Sequence, residues 1–77
     1  MFRVGDKARV KEDIQEIKSH VGTTLEMRKT AGKYVTITDI GHHDGIDEDY
    51  WYYFIKEDDG DFYWDDTLLE KVGVTLK

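Results

Sequence analysis

The sequence predicts a small, mainly β domain built from five short strands. Eight of the ten aromatic residues lie in one stretch, residues 50–64, around an Asp59-Gly60 pair. Apolar and polar residues alternate over residues 7–12, as they do in a half-buried strand. A chain of 77 residues is too short for two hydrophobic cores. We therefore expect one domain over residues 1–77.

The connection after the first strand is long and carries its own structural signals. Roughly twenty residues without strand-like alternation follow the first strand, and so long a connection usually carries structure or function. Thr23 and Glu26 fit a capping box, with Thr23 as N-cap, and Gly32 suits the position just after a helix. The sequence therefore predicts a short helix over residues 24–31.

The next three strands are predicted from runs of β-forming residues. Residues 33–40 read as the second strand, residues 50–57 as the third and residues 62–64 as the fourth. The polar residues 41–49 between the second and third strands are expected to form a loop. The aromatic stretch thus becomes a hairpin.

The Asp59-Gly60 pair predicts a tight turn in this hairpin, because Asp-Gly is favoured in turns whose two central residues both need positive φ. A two-residue turn pairs Ile55 with Trp64. One face of the hairpin then carries Trp51, Tyr53, Ile55, Phe62 and Trp64, and the other carries Tyr52, Phe54, Lys56 and Tyr63. A three-residue bulged turn would exchange the two faces, and the pattern leaves both registers open.

The end of the chain is predicted to contain one helical turn and a last strand. Residues 65–70 break the strand pattern, and Asp65 or Asp66 is expected to cap a single helical turn there. Residues 72–76 are then expected to form the fifth strand.

Three segments of the chain resemble the small SH3-like proteins encoded by bacteriophages and prophages of Gram-positive bacteria. They are Phe2-x-Val4-Gly5-Asp6-Lys7-x-Arg9-Val10, Ala31-Gly32-Lys33-x-Val35-Thr36-Ile37 and Trp64-Asp65-Asp66-x-Leu68-Leu69-Glu70. The resemblance implies a five-stranded SH3-like barrel with a short helix in the long first connection and one helical turn before the last strand. Trp51 stands where peptide-binding SH3 domains carry a groove tryptophan. Residues 32–37 also resemble the core of KOW modules.

Charge is divided unevenly between the two halves of the chain. Residues 1–38 carry eight Lys or Arg and five Asp or Glu (8 − 5 = +3), and residues 39–77 carry three and twelve (3 − 12 = −9), which sum to −6. The acidic half would repel a phosphate backbone. There is no cysteine, which excludes disulfides and thiol chemistry. Without a signal-like or membrane-spanning run, the expected location is cytoplasmic.

The acidic residues admit three interpretations: a solvated surface, an interaction surface for a basic protein partner, and a divalent-metal site. A solvated surface is the simplest interpretation, the functional prediction is built on the interaction surface, and neither metal nor cofactor is expected. The predicted partner-binding residues are Asp44, Asp47, Glu48, Asp49, Trp51, Asp58, Asp59 and Asp61. Some phage inhibitors, including anti-CRISPR proteins, use carboxylates to imitate nucleic acid, so a mimic that blocks a host nuclease is a sharper hypothesis. No residues combine a nucleophile, a base and an oxyanion site, so an enzyme is not expected.

Two further surfaces carry alternative hypotheses. Tyr52, Phe54 and Tyr63 cannot all be buried, and they are candidates for a partner or homodimer contact. The basic residues of the first half are candidates for KOW-type nucleic-acid binding, the rival function. They are Arg3, Lys7, Arg9, Lys11, Arg28, Lys29 and Lys33. The neighbouring His42 and His43 point in opposite directions if extended, so they are interpreted as exposed loop residues rather than joint ligands.

Overall fold

A five-stranded antiparallel sheet forms the body of residues 1–72, the part of the chain that the computed structural model describes. The strands are β1 (Lys7–Val10), β2 (Tyr34–Asp44), β3 (Asp49–Ile55), β4 (Trp64–Asp65) and β5 (Leu69–Lys71). One short helix, α1 (Leu25–Arg28), and 3₁₀ turns at Ile14–Glu16 and Lys56–Asp58 complete these residues. The strand order is β4-β3-β2-β1-β5. A mainly β fold with five strands is confirmed.

The short connection between β4 and β5 forces the sheet to curl. In a flat five-stranded sheet the two edge strands would lie about 19 Å apart, given a spacing of about 4.8 Å between neighbours. Asp65 ends β4 and Leu69 begins β5, and four Cα steps of about 3.8 Å span at most ~15 Å. The two edges must therefore approach each other. They do not form a closed barrel, because within residues 1–72 no ladder pairs β4 with β5.

The core lies on the concave side of this curled sheet. Its largest fully buried side chains are Trp64 and Tyr53, which occupy paired positions on β4 and β3. The other buried apolar residues are Phe2, Ala8, Val10, Ile14, Met27, Val35, Ile37, Ile55, Leu68 and Leu69. Burial of such side chains, at about 25 cal/mol per Å² of apolar surface, supplies the main stabilising term for a domain of this size.

The β2–β3 hairpin is longer than the sequence predicts. β2 continues to Asp44 and β3 begins at Asp49, so residues 41–44 and 49 are strand, and the prediction of a loop over 41–49 is wrong. Gly45 N–H donates to the carbonyl of Glu48 at 2.8 Å, which leaves a tight turn over residues 45–48. Polar composition misled the prediction, because both faces of this part of the hairpin lie largely outside the core.

The β3–β4 connection contains the predicted left-handed residues but is longer than two residues. Asp59 and Gly60 have φ of 55° and 75°. However, Tyr53 rather than Ile55 pairs with Trp64. The 3₁₀ turn at Lys56–Asp58 takes up the additional residues.

Part of the predicted inward face is confirmed despite this shift in the pairing of β3 with β4. A shift of two residues preserves the side of the sheet on which a side chain lies, and Tyr53, Ile55 and Trp64 are all buried as predicted. The prediction is wrong for Trp51, which is 40% exposed, and Phe62 is only partly buried. Trp51 lies further along the hairpin than the core extends.

The helix in the first connection is shorter than predicted and begins one residue later. Thr24, not Thr23, is the N-cap, and its hydroxyl oxygen accepts from Met27 N–H at 3.2 Å. α1 then spans only Leu25–Arg28. Met27 is buried against the core, so this segment covers part of the sheet, whereas Leu25 is 72% exposed.

The end of the chain also differs from the prediction. The turn after β4 covers residues 66–68 and is capped by Asp65, as predicted, but it is followed directly by β5 at Leu69–Lys71. Residues 73–76 of the strand predicted over 72–76 lie outside the described residues. β5 pairs with β1, which places Leu69 opposite Val10.

We predict that Tyr53→Phe destabilises the fold by about 1–2 kcal/mol at neutral pH. The buried Tyr53 hydroxyl accepts from Phe2 N–H at 3.2 Å and donates to Asp66 Oδ1 at 3.0 Å. Burial raises the pKa of Tyr53 to about 12, and Asp66 adds to the increase. The neutral phenol is thus favoured in the folded state, so this stability is present below about pH 10 and is lost as the pH rises towards 12.

Urea denaturation at pH 7 and at pH 11 measures both effects. The wild-type protein should lose more stability between these values than Tyr53→Phe does. Tyr63→Phe is the matched control, because Tyr63 is 54% exposed. Equal losses of stability in the wild type and in Tyr53→Phe would contradict the assigned role of the hydroxyl.

Candidate interaction surface

The distal end of the β2–β3 hairpin brings together four of the predicted acidic contact residues and Trp51. Asp44 and Asp49 face each other at the last rung of the ladder, and Asp47 and Glu48 lie in the turn. All four are exposed. Trp51 is on β3, two residues from Asp49, and 40% of its surface is exposed. The distal hairpin, residues 39–51, is therefore an acidic surface with one large exposed ring.

Histidine side chains support this acidic surface on both of its faces. His42 lies opposite Trp51, with the ring centroids 4.5 Å apart, and its Nε2 contacts Asp49 Oδ1. On the other face the Tyr50 ring stacks with His43 at 4.9 Å and with His20 at 4.6 Å. The predicted opposite orientation of His42 and His43 is confirmed, but they are in a strand and not in a loop.

No pattern in the sequence predicts that His20 contacts this surface. It comes from the long first connection, and its Nδ1 lies 3.8 Å from Glu48 Oε2. The chain has three histidines, and all of them contact aromatic or carboxylate groups of this hairpin. Since His20 is about thirty residues from Tyr50 in sequence, a contact at this range left no local signal.

The charge of the hairpin has one sign. Between Tyr34 and Ile55 there are five Asp or Glu residues and no Lys or Arg. The salt bridges that these carboxylates make within residues 1–72 are to His42 and His20, which are charged only when protonated. The hairpin therefore presents a negative potential that would attract a cationic partner.

Asp58, Asp59 and Asp61, the remaining predicted contact residues, lie at the other end of β3. The six residue steps from Asp49 to Ile55 correspond to roughly 20 Å of strand. Asp58 is held inside its own turn, where Oδ2 accepts from Trp64 Nε1 and Oδ1 accepts from Gly60 N–H, both at 2.9 Å. These three residues form a second acidic group, and Asp58 orders the turn.

Tyr52, Phe54 and Tyr63 form an aromatic cluster on the outer face of the sheet. Their centroids are 5.7 Å apart for Tyr52 and Phe54, 4.9 Å for Tyr52 and Tyr63, and 5.2 Å for Phe54 and Tyr63. Clefts of about 510 and 440 Å³ flank Phe54 on its two sides. The cluster is partly exposed, as the sequence predicts.

Arg9 is the basic residue that the structure engages most fully. Its guanidinium donates from Nη1 to Glu70 and from Nη2 to Glu12, the latter at 2.7 Å. The hydrogen bond to Glu70 is the main cause that raises the pKa of Arg9. A phosphate approaching Arg9 would have to compete with two carboxylates already in place.

Other classes of site find little support in the described part of the chain. No group of three or more His, Asp or Glu side chains in residues 1–72 is arranged to hold a metal ion. Among these residues, no helix is long and apolar enough to span a membrane.

Comparisons with protein-family models, with curated proteins and with solved structures gave no significant match to this chain. A function for this chain must therefore be inferred from its own geometry and charge.

We predict that Asp58 contributes to stability and that Asp61 does not. Asp58→Ala removes the acceptor of the Trp64 indole N–H and should lower the free energy of unfolding by about 1–2 kcal/mol. Asp61→Ala removes the same charge from an exposed position in the same turn and should change it by no more than about 0.5 kcal/mol. Thermal or urea unfolding compares the two variants. Equal effects would show that the Trp64–Asp58 hydrogen bond is not stabilising.

Proposed function

We propose that this chain is a non-catalytic protein-interaction module that binds a basic protein partner through its distal hairpin. The observation that carries the proposal is the concentration of exposed carboxylates around Trp51, without any Lys or Arg between Tyr34 and Ile55. An exposed tryptophan can anchor a partner, and the negative charge around it attracts a basic partner during approach. Specific protein interfaces combine these two features.

The proposed architecture is that of an SH3-like domain. In its support, the sheet order is β4-β3-β2-β1-β5, the longest connection joins β1 to β2, and one turn joins β4 to β5. Peptide-binding SH3 domains hold their ligand between the long first loop, the second loop and the turn before the last strand. Here His20 of the first connection and Glu48 of the second loop approach each other beside Tyr50.

A sharper form of the proposal is that the acidic hairpin imitates nucleic acid and blocks a host defence nuclease, as anti-CRISPR proteins of phages do. This form is motivated by the row Asp44, Asp47, Glu48 and Asp49 and by the resemblance to phage proteins. It requires that DNA or RNA compete with the chain for the same surface, and that binding weaken as salt is added. A cytoplasmic location accompanies this proposal.

The two other hypotheses receive less support from the contacts. KOW-type nucleic-acid binding would use the basic first half, but Arg9 is already paired with Glu12 and Glu70. A homodimer through Tyr52, Phe54 and Tyr63 remains a hypothesis for the outer aromatic cluster. Neither explains why the acidic residues extend beyond the core on a protruding hairpin.

We predict that replacing Asp47, Glu48 and Asp49 together by Lys weakens partner binding by at least about tenfold and leaves the fold intact. These side chains are exposed, so their reversal removes attraction without exposing apolar core. Affinity capture from host lysate, followed by titration of the captured protein at low and high salt, measures the loss.

The matched control replaces Asp13, Glu16 and Glu26 by Lys. It changes the net charge by the same amount at exposed positions of the first connection. Capture should survive in this control. Equal loss in both triple variants would reduce the effect to net charge, and unchanged capture in the hairpin variant would contradict the proposed function.

A further inference from the structure

The β2 strand has an open edge along the distal hairpin. Below this region β1 pairs with residues 34–36 of β2, and Ile37 exchanges hydrogen bonds with Gly5 and Asp6. Beyond Ile37, β2 pairs with β3 on one side only. No backbone group of residues 1–72 bonds to the other side of residues 40–44.

Two independent observations identify the backbone groups that face this edge. Gly45 N–H donates to Glu48, so that pair is a hydrogen-bonded one, and the alternation of an antiparallel ladder then makes Asp44, His42 and Ile40 the outward-facing residues. In agreement, Ile40 N–H does not bond to β3 and instead donates to Asp39 Oδ1 at 2.8 Å.

The Asp39 carboxylate thus closes one end of the edge and leaves the rest available. The available groups are the N–H of His42 and Asp44 and the C=O of Ile40, His42 and Asp44. Unpaired groups of this kind are a template for an additional strand unless charge or covering segments prevent it. Here the charge of the hairpin also favours an additional strand that is basic, because this hairpin carries five carboxylates and no Lys or Arg.

We propose that this edge of β2 binds an extended, Lys- or Arg-rich segment of the partner as an additional strand. The inference rests on the proposed function, a basic protein partner, and specifies how that partner is held. Main-chain hydrogen bonds to His42 and Asp44 would supply the pairing, and alternating basic side chains would meet the carboxylates. A second copy of this chain is a poorer occupant, because it would set two hairpins of five carboxylates side by side.

The test uses a blocked pentapeptide, Lys-Val-Lys-Val-Lys, as the probe for the edge. Residue-resolved amide hydrogen exchange should show that the peptide slows exchange at His42 and Asp44. A peptide N-methylated at every residue should bind at least about tenfold more weakly, because it cannot donate to the edge. Of the two peptides N-methylated at alternate residues, the one whose remaining N–H groups face the edge should still bind and the other should not, since the N–H groups of a strand point alternately to its two sides.

Two controls separate pairing from simple charge attraction. The blocked peptide Glu-Val-Glu-Val-Glu should not bind. In the protein, His42→Pro removes an N–H that faces the open edge, whereas His42→Ala removes only the side chain, so His42→Pro should bind the basic peptide at least about fivefold more weakly than His42→Ala. If His42→Pro does not fold, the methylated peptides still decide the question.

The results that would overturn the inference are equal binding of the fully methylated peptide, or unchanged exchange at His42 and Asp44. Either result would leave the proposed function intact if replacement of Asp47, Glu48 and Asp49 by Lys still weakens partner capture. If the peptide does not pair with the β2 edge but the Lys substitutions still weaken partner capture, the partner is held by side chains alone.

Discussion

The hydrogen bonds of the buried Asp65 carboxylate join the β4–β5 turn to the long first connection. Asp65 is only 1% exposed. Its Oδ1 accepts from Thr67 N–H at 2.9 Å, from Leu68 N–H at 3.3 Å and from the Thr67 hydroxyl, and its Oδ2 accepts from His20 N–H at 2.7 Å. A buried charge is strongly destabilising unless its oxygens are satisfied in this way. These bonds set the turn that curls the sheet and attach the first connection to it.

The same attachment also orders the base of the candidate interaction surface. Because His20 N–H is fixed to Asp65, the His20 ring is held against Tyr50 and supports the hairpin from one face. Among residues 1–72, β3 is the one segment that pairs with β2 beyond Ile37, and it does so on one side. The hairpin thus extends from an ordered base with its acids exposed and one edge unpaired, which is a geometry suited to a partner rather than to the core.

Much of the fold follows from local patterns in the sequence. The alternation of Tyr53 and Ile55, the Asp59-Gly60 turn and the cap at Asp65 all predict features that the structure contains, because each depends on neighbouring residues. The register of β3 against β4 does not follow, since it depends on the 3₁₀ turn that Asp58 stabilises by accepting from Trp64.

The composition of the candidate surface follows from the sequence, but its arrangement does not. Residues 41–49 are predicted to be a loop because they are polar. Gly41 nevertheless fits the ladder, because the Tyr52 ring covers it and leaves no room for a side chain: a Cβ there would lie 2.2 Å from that ring. The separation of Asp58, Asp59 and Asp61 from the distal acids, and the contact of His20 with Glu48, depend on tertiary packing. No period or motif in the sequence contains that information.

We propose that the distal hairpin is an ordered ribbon whose β2 edge is open for a partner. Amide hydrogen exchange of the free wild-type protein measures both properties residue by residue. We expect an alternating pattern, with slow exchange at Gly41 and His43, which bond to β3, and fast exchange at His42 and Asp44, which face the edge. Uniformly slow exchange at all four amides would mean that the edge is already covered, and uniformly fast exchange would mean that the hairpin is not formed; either result would rule out an ordered hairpin with an open edge.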